Sequence, residues 1–504
     1  MEQPPRRPPP PQNPQIQMQI VEDDEEEART PPWIPPPTHP LPDPDPPYPQ
    51  WILLHGNAYL HHLTNATTAA ASTKDGHRIH LTFWSSPPPS LSYLTVHCPG
   101  LDHDKFAHMP RIIATDGSLA LLRVTICPYY FSEEARFNEY FIYDAKASPS
   151  PSLKPLPSPP SSFCHEVFPD RRIGLMRRGG GGFFVAALNE NTAYYRVLLS
   201  CCCLGSIVYD VDSPAASTFT FASKVINIGG RSGSMGWVDL SSGILIYDMF
   251  VSGGSNNNNV LRYIPLPPTS RCLRRRYGFL LKGCPVSSRD IVAVNGSINY
   301  FEMYPHFSDG WISRTSTWKM DSCNNSSNWQ DGWNFKASEL RMDNPLHLKL
   351  LHDLQGYEAE DRSPLLNLHA GHPALSLQHD DGDVVYILLR AVCMDQKGCL
   401  LVIDMRNKTV REVVDCSGAR TSGFRSRISK HLYRNKPTPA KGLIVESHKQ
   451  SSNNPLLTSL AHGCKCRQGE HVMAGHDQSG LSVEKTVDMR GCALLSESVK
   501  RSEA

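Results

Sequence analysis

The amino-acid sequence predicts an all-β fold, a β-propeller-like repeat of short antiparallel strands with about six or seven blades. The first observation is an apolar strand that ends in Asp and recurs four times, at Asp144, Asp210, Asp248 and Asp404. The second is that two of these copies are followed by a strand that stops at proline, at 152–157 and at 261–267, the latter through Pro265 and Pro267. Self-similar strand pairs are typical of radially repeated β architectures, which usually present a binding surface.

Residues 1–47 precede this β pattern and differ from it in composition. They hold polyproline runs around an acidic block at 22–27, and 18 of the chain's 43 prolines lie within the first 50 residues. Such a segment cannot bury enough apolar surface to offset the entropy that ordering costs. The sequence therefore predicts a disordered, Pro-rich and acidic tail with polyproline II character.

From Trp51 onward the sequence takes on the pattern of β-strands. Residues 78–83 alternate apolar with polar side chains, as a half-buried strand does. The dipeptides Asp116-Gly117 and Asn295-Gly296 fit tight hairpins, in which a positive φ is needed. Short runs rich in apolar, β-branched or aromatic residues predict further strands at 119–126, 183–188, 192–199, 243–250, 290–294 and 384–389.

The spacing of the repeated strand suggests the number of blades. Its copies end at intervals of 66, 38 and 156 residues, and the last interval would hold three units of 52. Since a propeller blade takes ~40–50 residues, residues 48–436 would accommodate six or seven blades with a few long loops; a pair of β-sandwiches is the alternative. The best helix candidate, 337–354, is interrupted by Asn344-Pro345. Residues 437–504 are polar and lack periodicity, which predicts a tail of low order.

Charge and targeting signals bound the classes of function. The net charge is +1 and the isoelectric point about 7.6, so the chain lacks the basic character of nucleic-acid binders. The start lacks the apolar core of a signal peptide, and no run of ~18 apolar residues exists that could cross a membrane. We therefore expect an intracellular protein, cytoplasmic and/or nuclear, whose 15 cysteines are reduced. For the basic run of Arg271 with Arg274, Arg275 and Arg276, a solvated loop is favoured over an import signal or a phosphate-binding patch.

The glycine-rich and histidine-rich segments do not form a catalytic motif. The four glycines at 179–182 and the stretch 229–236 lead into strands rather than a helix, which favours hairpin loops over nucleotide-binding loops. A group of acid–base residues follows the turn at Pro99-Gly100, but no nucleophile motif accompanies it; its members are His97, Asp102, His103, Asp104 and His108. The sequence predicts no catalytic residue and no cofactor.

Three segments contain residue types that bind metals. One stretch of the C-terminal tail holds His462, Cys464, Cys466, His471 and His476, but its Cys-x-Cys spacing is shorter than zinc sites use, which favours an unstructured tail. The string 379–383 lacks the spaced carboxylates of a calcium loop, so a hairpin turn is favoured. The cysteines at 201–203 are expected to pack as small hydrophobic residues. We predict no metal site.

Several strings in the body resemble a known family. The strings include the strand at Trp51, 92–100 with Pro99-Gly100, Trp237 to Leu240 with Asp239, 261–267, 289–296 with Asp290 and Asn295-Gly296, and 402–409. Together they are similar, over roughly residues 48–435, to the plant domain-of-unknown-function family 1618, which is abundant in grasses. The resemblance implies a plant intracellular protein with β repeats similar to the propellers attached to F-box proteins, and it implies no catalytic residues. This chain has Ser241-Ser242 where family members usually have Trp-Arg; if that pair contributes to the family's common surface, part of that surface is lost here.

The functional expectation is a non-enzymatic interaction module that binds other proteins. Residues 1–47 contain no F-box-like segment, so a ubiquitin-ligase adaptor is not predicted. The alternatives are an enzyme with a loop-built site at the propeller mouth, such as a hydrolase or sugar-modifying enzyme, and a weak nucleic-acid binder acting through the basic loop. The repeated Asp residues are expected to cap backbone amides of turns, and Trp237 to be buried, with Asp239 hydrogen-bonded near the following turn.

Overall fold

A computed structural model describes most of the β body of this chain. The described residues all lie within one compact unit, Met1–Thr438. They are 48–127, 137–157, 169–190, 195–201, 205–211, 219, 221–250, 261–268, 285–306, 308–319, 329–356, 363–378, 383–392, 395, 397–416 and 424–432. Both predicted tails, 1–47 and 437–504, lie outside the described residues, so the predicted domain boundaries stay predictions.

The described residues form six β-sheets, numbered here along the chain. Sheet 1 contains β1 (Ile52–Leu54), β2 (Tyr59–Leu60), β3 (Ala69–Ser72), β4 (Arg78–Trp84), β5 (Leu91–His97) and β26 (Phe424–Ser426). Sheet 2 contains β6 (Phe106–Asp116), β7 (Leu119–Ile126), β8 (Asn138–Asp144) and β9 (Ser152–Pro155). Sheet 3 contains β10 (Ile173–Arg177), β11 (Phe183–Glu190), β12 (Tyr195–Cys201) and β13 (Gly205–Val211).

The second half of the described chain forms three more sheets with the same arrangement. Sheet 4 contains β14 (Lys224–Gly229), β15 (Ser234–Asp239), β16 (Gly243–Asp248) and β17 (Arg262–Pro265). Sheet 5 contains β18 (Arg289–Val294), β19 (Ser297–His306), β20 (Gly310–Lys319) and β21 (Gln330–Lys336). Sheet 6 contains β22 (His369–Leu375), β23 (Val384–Arg390), β24 (Cys399–Asp404) and β25 (Thr409–Asp415). Two helices are α1 (Pro345–Gln355) and α2 (Ser429–Leu432).

Sheets 2 to 6 are each a four-stranded antiparallel meander whose strands pair in chain order. Apolar side chains on both faces of each sheet pack against the two neighbouring sheets, so a separate hydrophobic core fills each gap between sheets. Five cores join sheets 1 and 2, 2 and 3, 3 and 4, 4 and 5, and 5 and 6. The sixth joins sheet 6 back to sheet 1. The sheets therefore form a closed ring, and the predicted all-β, propeller-like repeat is confirmed with six blades.

Strands from both ends of the described chain complete sheet 1. Strand β26 pairs antiparallel with β1, with Ile52 opposite Ser426, and β1 pairs parallel with β5. This arrangement closes the ring with backbone hydrogen bonds as well as with side-chain packing, so the ring does not depend on the sixth core alone.

Blade spacing and the helix differ from the expectations. The sequence predicts three units between Asp248 and Asp404, but among the described residues this interval contains sheets 5 and 6, because sheet 5 lacks the repeated Asp-ending strand and the loops are long. The repeated strand is the third strand of sheets 2, 4 and 6, whereas Asp210 lies in the fourth strand of sheet 3. Asn344-Pro345 does not interrupt a helix. It begins α1, with the Asn344 side chain accepting from the Leu346 amide at 2.9 Å and proline in the first turn, where its missing N–H costs nothing.

Within the described ranges, neither α1 nor α2 is long and apolar enough to cross a membrane.

Candidate binding site in the central channel

A cavity of about 410 Å³ runs along the inside of the ring. The first strand of each of sheets 2 to 6 borders it, together with β26 of sheet 1 and the segment after β1. Among the described residues, six basic and three acidic side chains line this channel: Arg111, Arg171, Lys224, Arg289, Arg425 and Arg427, and Asp116, Asp170 and Asp290. Convergent charged groups, rather than bare strand backbone, therefore define the channel.

Lys224, Asp290 and Arg425 meet inside the channel from sheets 4, 5 and 1. Lys224 Nζ lies 2.8 Å from Asp290 Oδ1, and Arg425 donates to both carboxylate oxygens of Asp290, with Nη2 2.9 Å from Oδ1. The Leu375 amide donates to Asp290 Oδ2 at 2.8 Å. The Asp290 side chain is only 6% exposed, whereas that of Lys224 is 27% exposed and borders the channel cavity. Two cations thus share one buried carboxylate.

Burial and neighbouring charges shift the pKa values of this group. Burial, followed by the charge of Arg425, lowers the pKa of Lys224 to about 8 against the opposing effect of Asp290. Burial alone would raise the pKa of Asp290, but Arg425 and Lys224 hold it below the usual range of a carboxyl group. Asp290 is therefore ionised at neutral pH, and the three side chains carry a net positive charge while Lys224 is protonated.

The same pattern, one carboxylate between two cations, occurs twice more around the channel. Asp170 lies 3.1 Å from Arg123 Nη1 and 3.9 Å from Arg111 Nε. Glu302, which is fully buried in sheet 5, contacts Arg314 and lies 3.9 Å from Nε of the lining residue Arg289. Among the described residues, each group sets two cations against one carboxylate, and the cations Arg111 and Arg289 line the channel.

Asp116 and Arg427 contribute a balanced pair to the lining. Asp116 accepts from the Arg177 amide at 2.7 Å, and Arg427 Nη2 donates to the Leu377 carbonyl at 2.6 Å. Burial raises the pKa of Asp116 against the effects of Arg177, Asn227 and Arg427. Burial also lowers the pKa of Arg427, while Asp116 opposes this shift. All three lining carboxylates are engaged by cations or backbone amides.

An aromatic side chain extends this charged surface beside the channel. The Arg171 guanidinium lies over the Phe221 ring, 3.8 Å from its centroid, and Phe221 is 43% exposed. Phe221 precedes the lining residues Ser223 and Lys224 by two and three positions. We call Arg171 and Phe221 the mouth pair.

The residues singled out in the sequence occupy varied positions, and two of the charged ones, Asp290 and Asp116, line the channel. Trp51 and Trp237 are buried between sheets, and Trp237 Nε1 donates to the Arg172 carbonyl at 2.8 Å. Asp239 is 1% exposed, and its carboxylate accepts from the Ser241 amide at 2.8 Å and from the Ser242 hydroxyl at 2.7 Å. Ser241-Ser242 therefore forms the β15–β16 turn.

The repeated Asp residues bind side chains and turn amides at the ends of strands. Asp144 accepts from the Lys146 amide at 2.9 Å and from the Ser118 hydroxyl at 2.8 Å. Asp404 accepts from the Asn407 amide at 2.9 Å. Asp248 instead contacts the Ser234 hydroxyl and lies 3.1 Å from Arg262 Nη2, so it links strands rather than capping a turn amide in the described residues.

The remaining turn residues support strand connections. Asn295 and Gly296 have φ values of 51° and 75° in the two-residue β18–β19 hairpin, a conformation that favours these two residues. Gly100, with φ 84°, follows Pro99 in the turn after β5. Pro265 ends β17, where its carbonyl accepts from Trp329 Nε1 at 2.7 Å, and Pro267 is buried just beyond it.

The acid–base candidates around His97 do not face the channel lining. His97 and His80 are opposite each other on β5 and β4, with ring centroids 6.0 Å apart, and His62 lies 6.3 Å from His97. Burial, followed by the neighbouring histidines, lowers the pKa of His97. Asp104 pairs with exposed Lys105 at 3.2 Å. Across the described ranges, no three His, Cys, Asp or Glu side chains are placed to hold a metal ion.

Other predicted motifs either form hairpins or lie outside the described residues. Gly179–Gly181 is a 3₁₀ turn between β10 and β11, and 230–233 joins β14 to β15. Cys201 ends β12. The segments that lie outside the description are the arginine run at 271–276, the cysteines at 202–203, the string 379–382 and the histidine- and cysteine-containing stretch at 462–476.

Sequence reasoning missed most of the channel residues. Lys224 and Arg289 each begin an inner strand, and Arg425 lies 135 residues after the Asp290 it contacts. The available signal was a basic residue directly after serine at the start of a short apolar strand, in Ser223-Lys224-Val225 and Ser288-Arg289-Asp290. Such a residue also suits an exposed strand end, so only the ring reveals that these side chains converge.

The fold and the channel define a six-bladed β-propeller with a positively charged central channel. Residues 237–386 match the family model described as "Protein of unknown function (DUF1618)". This match supports a DUF1618 family protein, the family that the sequence resembles. Comparison with curated proteins gives no match.

Solved structures similar to this chain include three with very low sequence identity. The neuraminidase-like protein of subtype N10 from A/little yellow-shouldered bat/Guatemala/060/2010 is 10% identical, with a TM-score of 0.29, over 64% of this chain and 85% of that one. Dihydro-heme d1 dehydrogenase NirN is 10% identical, with a TM-score of 0.30, over 79% and 78%. The α-L-arabinofuranosidase from Lactobacillus brevis is 11% identical, with a TM-score of 0.26, over 61% and 85%. At these TM-scores the similarities carry no argument about function.

Proposed function

We propose that this chain is a non-enzymatic interaction module that binds an acidic segment of a partner protein beside its central channel. The observation that carries this proposal is the mouth pair, an exposed Phe221 under the Arg171 guanidinium, next to a channel with six basic and three acidic lining residues.

The chemistry of the mouth pair supports protein recognition. Aromatic and arginine side chains are over-represented among residues whose truncation weakens interfaces most. A surface with excess positive charge speeds association with acidic partners and disfavours basic ones. Because six cores and the β1–β26 pairing close the ring, the surface can bind without a large change in the backbone, which reduces the entropic cost of association.

An intracellular location, cytoplasmic or nuclear, is part of this proposal. Cys98 and Cys399 are buried cysteines outside any disulfide, and Cys416 is a partly buried one. Burial raises the pKa of Cys98 to about 12 and that of Cys399 to about 11, which suppresses the reactive thiolate. Thiol titration of the denatured protein, purified without reductant, should find these three cysteines as thiols. Disulfides at these cysteines would contradict the location. Plant origin stays a prediction of the sequence resemblance.

The binding proposal is tested with a displayed library of acidic, neutral and basic peptides and with two matched variants. Acidic peptides should be enriched, and Phe221→Ala should weaken their binding by about tenfold or more, as removal of an interface anchor does. Leu346→Ala is the control, because Leu346 is also exposed, at 67%, but lies on α1. Equal losses in both variants, or enrichment without an acidic bias, would contradict the proposal.

A further inference from the structure

Lys224 lines the channel, and its ammonium group has more hydrogen-bond donors than the acceptors found for it. An ammonium group has three donors, and Asp290 is the one acceptor found for that of Lys224 among the described residues. Its side chain is 27% exposed and borders the channel cavity. The remaining donors are therefore open to a ligand that enters the channel.

Around Lys224, the cationic side chains that line the channel outnumber the carboxylates that contact them. Arg425 already satisfies both oxygens of Asp290, so Lys224 is the second cation on one carboxylate. Arg427 follows two residues after Arg425 and also lines the channel, where its guanidinium uses one donor on the Leu377 carbonyl. Since charges in a cavity are screened less than charges in bulk water, an anion is the ligand that this group attracts.

We propose that the channel contains a binding site for a small oxyanion, a phosphate or carboxylate group, held by Lys224 and Arg427 beside the Arg425–Asp290 pair. A cavity of about 410 Å³ lies within the range of small-molecule sites, roughly 300–1,000 Å³. The oxygens of such a group accept charge-assisted hydrogen bonds from lysine and arginine. The site lies inside the ring and does not depend on the acidic protein segment proposed for the mouth pair.

The test measures binding of sulfate, inorganic phosphate and succinate by calorimetry and thermal unfolding, at constant ionic strength set with sodium chloride. A ligand that binds only the native state raises its melting temperature with concentration. Lys224→Met should weaken binding by about tenfold or more, the loss expected for one charge-assisted hydrogen bond. It leaves Asp290 paired with Arg425, so no buried charge is abandoned. Lys408→Met is the matched control, because Lys408 also pairs with a carboxylate, Glu339 at 2.7 Å, but outside the channel lining.

A second variant decides the outcome if Lys224→Met does not fold. Arg427→Gln removes the other proposed donor and should also weaken binding by about tenfold. Saturable binding of sulfate and phosphate supports a phosphoryl ligand, whereas saturable binding of succinate alone supports a carboxylate ligand. Absence of saturable binding, or equal affinity in the wild type and the folded channel variants, would overturn the proposal. Peptide binding at the mouth pair is measured separately, so failure of one proposal leaves the other standing.

Discussion

The Trp51 ring packs edge-on against the Tyr386 ring, with centroids 5.5 Å apart and planes at 76°, and this contact joins the first sheet to the sixth. Trp51 directly precedes β1, the strand that pairs with β26. The contact therefore lies beside the backbone pairing that closes the ring. Because β26 carries Arg425, the closure also positions a cation of the channel against Asp290 of sheet 5.

Truncation of Trp51 should weaken the closure of the ring. We expect Trp51→Ala to lower the free energy of unfolding by about 3–5 kcal/mol, through lost burial and the cavity left behind. Trp51 is only 3% exposed, whereas Trp333, at 38%, provides a control of the same residue type. Urea denaturation of the two variants measures the difference. Similar losses for Trp51→Ala and Trp333→Ala would show that the contact with Tyr386 adds no special stability.

Trp237 should contribute both packing and one hydrogen bond. Its ring is fully buried between sheets 3 and 4, and its Nε1 donates to the Arg172 carbonyl. Trp237→Phe keeps much of the apolar area but leaves that carbonyl without this donor, so we expect a loss of about 1–3 kcal/mol. Trp237→Ala should cost more, about 3–5 kcal/mol. Thermal and urea unfolding distinguish the two variants, and a stable Trp237→Ala protein that has lost peptide binding would instead make Trp237 a contact residue.

The sequence predicts the strands and turns of this fold well because their signals are local. The Asp-ending strands, the Asn295-Gly296 hairpin and the buried Trp237 each depend on residues within a few positions of one another. The number of blades was harder to predict from the sequence, because the third strand of sheet 5 lacks the Asp-ending pattern and long loops separate the sheets. The channel could not be predicted, since Lys224, Asp290 and Arg425 come from three sheets and meet only when the ring closes.

Removal of the shared carboxylate should destabilise the protein more than removal of one of its cations. Asp290→Asn keeps the shape of the side chain but leaves Lys224 and Arg425 without their counter-charge, which typically costs about 3–5 kcal/mol. Adding Lys224→Met to this variant should restore part of the loss, because one of the two unpaired charges is then gone. A double-mutant cycle measured by urea denaturation gives the coupling between the two residues. Purely additive losses would mean that the 2.8 Å contact between Lys224 and Asp290 contributes no interaction energy.

The lowered pKa of Lys224 predicts a defined dependence of stability on pH. In the folded protein this pKa is about 8, below its ordinary value of 10.5, because of burial and Arg425, against the opposing effect of Asp290. Between these values the unfolded chain binds more protons at Lys224 than the folded protein does, so the contribution of Lys224 to stability rises as the pH increases from 8 to 10.5.

Tyrosines and cysteines also titrate in this window, and the measurement is therefore the difference in unfolding free energy between the wild type and Lys224→Met at each pH. We expect that difference to shift in favour of the wild type as the pH rises. We also expect the affinity for sulfate to fall as Lys224 loses its proton, because the charge of sulfate is constant in this range. A flat difference across the window would mean that Lys224 keeps its ordinary pKa and lies in a wetter environment than its position in the channel indicates.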